Sequence, residues 1–209
     1  EAIMRERRGL SHSQEMGRRV AAAVLDVYPY VRQDRKRDVR FVHRVELMRL
    51  PYREITAQDA ARARAEYDRL ERDGANPFRA TEMQKFRMIL NRYEKQARGK
   101  LTTSAEIHVM RLGDLAIATN PFELFLDYGI QMKARSPAVL TLTAQLAAEI
   151  GQYQAYLATE RAVKAGGYSA EVLWFNYVGP EGGRLLVDRT VELLNQLWSD
   201  AKQPVSAHP

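Results

Sequence analysis

Thiol chemistry is missing from this 209-residue chain: it has no cysteine, so thiolate nucleophiles, disulfides and thiolate metal ligands are excluded. Carboxylate, imidazole, phenol and carbonyl groups remain. The four histidines, His12, His43, His108 and His208, form no i, i+4 pair and no HExxH pattern, so they outline no metal site of their own. His108 reads as a partly buried structural imidazole. Gly179, Gly182 and Gly183 in VGPEGG lead into a helix and could cradle an anion, but the lysine and serine of a phosphate loop are missing. What stands out is one carboxylate and two phenols: Glu123 in ATNPFELFLDYG, Tyr156 in AYLATERAV and Tyr168 in AGGYSAE. A carboxylate can hold a metal ion. A phenol in a water-poor cleft can donate to a carbonyl oxygen as that oxygen gains charge, without bringing a competing charge.

Each of the three also has an ordinary structural reading. Glu123 lies three residues after Asn120, with Pro121 at the first helical position, which is the spacing of a helix N-terminus whose carboxylate reaches back to a backbone amide. The chain has ten tyrosines, and a tyrosine packed in a core or at a rim with its hydroxyl bonded is the common case.

Taken together, Pro121, Phe122 and Glu123, then Tyr156 with Thr159 and Glu160 behind it, then Tyr168 after Gly166 and Gly167, twelve positions on (168 − 156), resemble the neutral ceramidase-type zinc amidohydrolases. EIHVMRLGDLAIATNPFELFLDYG and YVGPEGGRLLVDRTVELLNQLW carry the same likeness, which is strong from Glu106 onward and looser before it. The resemblance implies the C-terminal half of such a catalytic domain. It makes Glu123 and Tyr156 zinc ligands and Tyr168 the group that polarises the substrate carbonyl, with zinc as cofactor and an N-acyl amide, ceramide-like or otherwise lipid-like, as substrate. It also implies that the histidine ligands and the catalytic base lie upstream. The missing N-terminal half is then a partner, and the chain alone is inactive. Secretion or a periplasmic location is what the resemblance suggests. Where the family has a glycine-rich run before the first tyrosine, this chain has Glu149, Ile150, Gly151, Gln152, Tyr153, Gln154 and Ala155. Glu160 and Arg161 would pair with each other or fix the loop.

The elements that must position these groups can be read from spacing. Ser11 and Gln14 have capping-box spacing ahead of a helix with Val20, Ala21, Val24, Leu25 and Tyr28 on one side, and Pro29 is expected to end it. Residues 40–50 alternate as a strand with one wet face. Thr56 caps a helix reaching Arg72, and a second follows Pro77 with Met83, Phe86, Leu90, Tyr93 and Ala97 as its stripe; the two form an outer layer. Two strands flank a tight turn at Gly113 and Asp114, the second of them buried on both faces. A helix from Asn120 to Ala134 and a strand from Val139 to Leu146 come next. The aromatic-rich stretch from Gly151 to Gly179 has no clean period and reads as a long ordered functional loop. Pro180 opens the last helix.

The fold class expected is α/β: a mixed sheet with flanking helices, an incomplete portion of a larger α/β catalytic domain spanning residues 1–201, with a disordered tail at 202–209. With 45% hydrophobic residues the chain can bury a core, and no run of about 18 apolar residues marks a membrane span. A formal charge of +6 and a pI near 9.6 permit contact with phosphates or anionic lipid headgroups through Arg32, Arg35, Lys36, Arg37, Arg40 and Arg44. Interspersed Asp34, Asp38 and Glu46 make a solvated face the simpler account, and no nucleic-acid motif accompanies the cluster. The alternative to the amidase is a non-catalytic α/β module whose basic face binds an anionic partner.

Overall fold

The computed structural model describes residues 2–74, 76–147 and 154–199. It divides into two compact units, Glu1–Val39 and Arg40–Pro209. The tail expected at 202–209 and most of the segment that stands in place of a glycine-rich run lie outside the described residues.

The first unit holds α1 (Ala2–Arg7) and α2 (His12–Gln33). Ser11 and Gln14 form the anticipated capping box, Ser11 Oγ accepting from Gln14 N at 3.2 Å and Gln14 Oε1 from Ser11 N at 2.8 Å. Pro29 does not end α2; the helix continues to Gln33. A proline near a helix end removes one donor and leaves one carbonyl short, and on a solvent-exposed helix water can satisfy that carbonyl. No residue of α2 is buried.

The second unit is mixed α/β. Its four-stranded sheet has the order β1 (Phe41–Pro51), β2 (Thr102–Leu112), β3 (Leu115–Thr119), β5 (Leu140–Ala144). The first two junctions are antiparallel, and β3 and β5 are parallel. Gly113, in the left-handed region at φ 60°, makes the β2–β3 turn where its sequence position suggested. Between the parallel strands the chain passes through the short β4 (Glu123–Leu124) and α5 (Leu126–Arg135). Leu50, Ile107, Val109, Ala116 and Ala118 face inward and pack against Tyr128 and Met132 of α5 and Leu186, Val187, Leu194 and Leu197 of α7 (Pro180–Ser199). The other face carries Phe41, Val45, Leu47, Leu140 and Leu142, all exposed. β3 is therefore buried on one face only. Its two faces are both apolar, alanine inward and Leu115 and Ile117 outward, and this hid the alternation.

α3 (Ala57–Arg72) and α4 (Pro77–Gln96) form a hairpin with its own smaller core, Ile55, Ala60, Ala63, Ile89 and Leu90, against which Phe86, Tyr93 and Trp174 pack. Thr56 and Asp59 cap α3 reciprocally, and Asn76 caps α4 ahead of Pro77. The Gln96 side chain pairs with both backbone groups of Ile55, which ties the end of α4 to the chain leaving β1.

Tyr128, 3% exposed, donates to Ala158 O at 3.1 Å, and burial pushes its phenol up to about 12 from the ordinary 10. A phenol whose folded value is raised contributes stability that is whole below the unfolded value and drains away as pH rises through the folded one. The melting temperature should therefore fall between pH 10 and about 12 more steeply than in Tyr128→Phe. Parallel slopes in the two proteins would contradict this.

Candidate active site

Alternation along two very short strands sets the geometry. β4 pairs in parallel with β6 (Tyr156–Leu157), Glu123 opposite Tyr156 and Leu124 opposite Leu157. Successive side chains of a strand point to opposite faces. Leu124 and Leu157 enter the core, so Glu123 and Tyr156 turn together to the other side. Backbone bonds hold the register: Glu123 N to Ala155 O at 3.3 Å, Phe125 N to Leu157 O at 3.3 Å and Gln154 N to Pro121 O at 2.6 Å. The Gln145 side chain accepts from Leu124 N at 2.7 Å, and Asn120 Oδ1 accepts from Phe122 N at 3.0 Å, folding the turn before β4.

Glu123 is thus not a helix cap. α5 begins at Leu126, its N-cap position is Phe125, and no side chain caps it there. The helix expected from Asn120 starts later because residues 120–125 go first into the Asn120 turn and the β4 pairing.

Tyr168 reaches the same place from the other direction. α6 (Glu160–Ala165), capped by Thr159, ends at Gly166 and Gly167, with φ of 79° and 109°. These are left-handed conformations that glycine adopts readily, and they reverse the chain into a single 3₁₀ turn carrying Tyr168. Its ring meets that of Tyr156 edge-on, centroids 6.0 Å apart, and Phe175 stands 6.3 and 6.4 Å from the two. Glu160 pairs with Lys164 at 2.9 Å and Arg184 at 3.8 Å; Arg161 pairs with Asp127 at 2.8 Å, so the loop is tied to α5 and α7.

Glu123, Tyr156 and Tyr168 line one cavity of about 620 Å³, with Gln154, Thr103, Tyr52, Trp174, Phe175 and Tyr177 completing its wall. A larger cavity of about 890 Å³ shares Tyr52 but holds none of the three. Sequence reasoning did not single out Tyr52, Trp174, Phe175 or Tyr177 as wall residues. The aromatic density of the stretch before Gly179 was the one available signal, and it carries no spacing. Among the described residues no arginine or lysine lines the cavity of the three, so a carboxylate and aromatic π faces make its wall favourable to positive charge. The Glu123 carboxylate beside Tyr156 raises the phenol's pKa, with smaller contributions from burial and from Tyr168. At neutral pH Tyr156 is therefore protonated, its phenol beside the Glu123 carboxylate. A cation in the cavity would reverse the sign of that field.

Two oxygen donors from neighbouring strands fit part of a zinc coordination sphere, which ordinarily has three or four protein ligands. Among the described residues no group of three or more histidine, aspartate or glutamate side chains is placed to hold an ion. Two of the histidines are engaged on the sheet: His43 Nε2 and His108 Nδ1 are 2.9 Å apart, and His108 Nε2 is 3.0 Å from Glu106.

No protein-family model matches the chain, and no curated protein does. Two solved structures are similar to part of it: the neutral ceramidase from Pseudomonas aeruginosa, with TM-score 0.41, and a ceramidase complexed with C2, with TM-score 0.40. Both are 18% identical over 51% of this chain, and the match spans 17% and 16% of those chains respectively.

Proposed function

We propose that this chain is part of a zinc-dependent amidohydrolase that cleaves an N-acyl amide of a ceramide-like, lipid-like substrate. The observation that carries the reading is the convergence of Glu123, Tyr156 and Tyr168, scattered over 45 positions (168 − 123), on a single cavity. Glu123 and Tyr156 are assigned as oxygen ligands, the remaining ligands coming from outside the described residues. When bound, zinc supplies Lewis acidity and an activated water near neutral pH. The residues of this chain do the rest. Glu123 and Tyr156, opposite each other on the paired strands, present a carboxylate and a phenol side by side. Tyr168, opposite them, donates to the carbonyl oxygen on which charge develops. The aromatic wall offers apolar surface beside that bond.

The test is zinc titration and spectroscopic pH titration of the 209-residue chain. Zinc is expected to bind weakly, because two oxygen ligands make an incomplete site, and the chain alone should not turn over amides. Glu123→Gln should remove the zinc binding and bring the Tyr156 ionisation, followed by phenolate absorbance, down towards the ordinary tyrosine value. Tight zinc binding that survives both Glu123→Gln and Tyr156→Phe would overturn the assignment.

A further inference from the structure

α2 is a 22-residue helix, about 33 Å long at 1.5 Å per residue, and none of its residues is buried. Met16, Val20, Val24, Val27, Tyr28 and Val31 recur every three or four residues, so they form one continuous stripe along it, and they are 49–64% exposed. The acidic residues of the helix, Glu15 and Asp26, are eleven positions apart, close to three turns, and so share a line on the far side from the stripe. Glu15 is engaged there by Arg18 at 2.8 Å and Arg8 at 3.1 Å. The helical period puts one arginine beyond each edge of the stripe, Arg19 and Arg32; Asp34 follows the helix as its C-cap, and then come Arg35, Lys36, which lies 3.9 Å from Asp34, and Arg37.

The geometry points to α2 as an interfacial helix that lies flat on a membrane containing anionic lipid, its valine stripe at the acyl boundary and its flanking arginines at the phosphates. Three features fit a lipid surface together: an apolar stripe running the length of the helix, an arginine at each of its edges with a basic run beyond its end, and, within the helix, carboxylates confined to the side that would face water. Arginine can lay its methylene stem along apolar surface while its head stays at the polar boundary. A second copy is the poorer occupant. The regular four, three, four spacing from Val20 to Val31 covers under two heptads, fewer than the three or four that sustain a coiled coil. The inference is independent of the reading of the cavity.

Flotation of the full 209-residue chain with vesicles of phosphatidylcholine alone, or of phosphatidylcholine with phosphatidylglycerol, tests it. Binding should favour the anionic vesicles and weaken as salt is raised. Val24→Asp with Val27→Asp should reduce it by about tenfold or more, and Arg32→Glu should erase most of the anionic preference. Val24→Leu, which keeps helix and apolar area, should bind at least as well, which separates loss of the stripe from loss of the helix. Failure to bind either vesicle, equal binding to both, or binding indifferent to the valine substitutions overturns the inference. So does a dimer in lipid-free sedimentation that Val24→Asp dissolves, since the stripe would then belong to a second copy.

Discussion

Tyr168→Phe is expected to cut amide turnover about 10²- to 10³-fold in a polypeptide that supplies the remaining metal ligands, while leaving its affinity for zinc unchanged. That is the size of loss usual for removing one fixed donor to a developing oxyanion. The substitution suits the question because Tyr168 is 62% exposed, and its ring contacts, with Tyr156 and Phe175, do not require the hydroxyl. Phenylalanine keeps the packing and deletes only the donor. Glu123→Gln should behave differently, lowering zinc affinity and turnover together, because a ligand contributes before the chemical step as well as during it. If both variants retain full activity, the cavity is not the catalytic centre and the alternative, a non-catalytic module with a basic face, is left.

Gly183→Ala should destabilise the second unit by about 1–3 kcal/mol, the usual cost of forcing extra volume into a packed interior. A methyl group at this position would overlap the Tyr128 ring, which is fixed between α5 and α7 and bonded to Ala158. Tyr128 has nowhere to go: its hydroxyl is committed and it is 3% exposed. The same change at Gly17 in α2 meets nothing within 4 Å and should instead favour the helix by up to about 1 kcal/mol. Thermal melts followed in the near-ultraviolet, where the buried tyrosine reports, would measure the first effect; a Gly183→Ala protein as stable as the parent would show that α7 can slide away from α5.

How far the sequence could be read depended on whether the deciding interaction was local. Ser11, Thr56 and Asn76 satisfy donors three residues away, and the helices they begin are found where spacing placed them. The β2–β3 hairpin is equally local, one glycine setting the turn. Glu123 is the instructive case. Its neighbours Asn120 and Pro121 look like a helix start, yet the backbone of residues 123–125 finds partners at Ala155 and Leu157, some thirty residues later, and becomes strand. No local pattern reveals a two-residue strand whose partner is equally short. The likeness of motif nevertheless picked out Glu123, Tyr156 and Tyr168, which the fold brings to one cavity, whereas Tyr52, Trp174 and Tyr177 reach its wall from places no spacing connects. Pro29 fails for another reason: a proline stops a helix only where the missing bond cannot be replaced, and on an exposed surface it can be.

Arg92 lies within α4 and is 5% exposed, its guanidinium 5.3 Å from the centre of the Tyr177 ring and donating to Asn176 O at 3.1 Å and Leu173 O at 3.4 Å. The aromatic side of the cavity is therefore fastened to the helical hairpin, while Glu123 and Tyr156 ride on strands rooted in the core under the sheet. Tyr177 also packs against the main core, so this one wall residue is held from both clusters of the second unit. A substitution at Arg92, inside the α4 helix and remote from Glu123, would therefore loosen the aromatic wall without touching the residues that would act on a substrate.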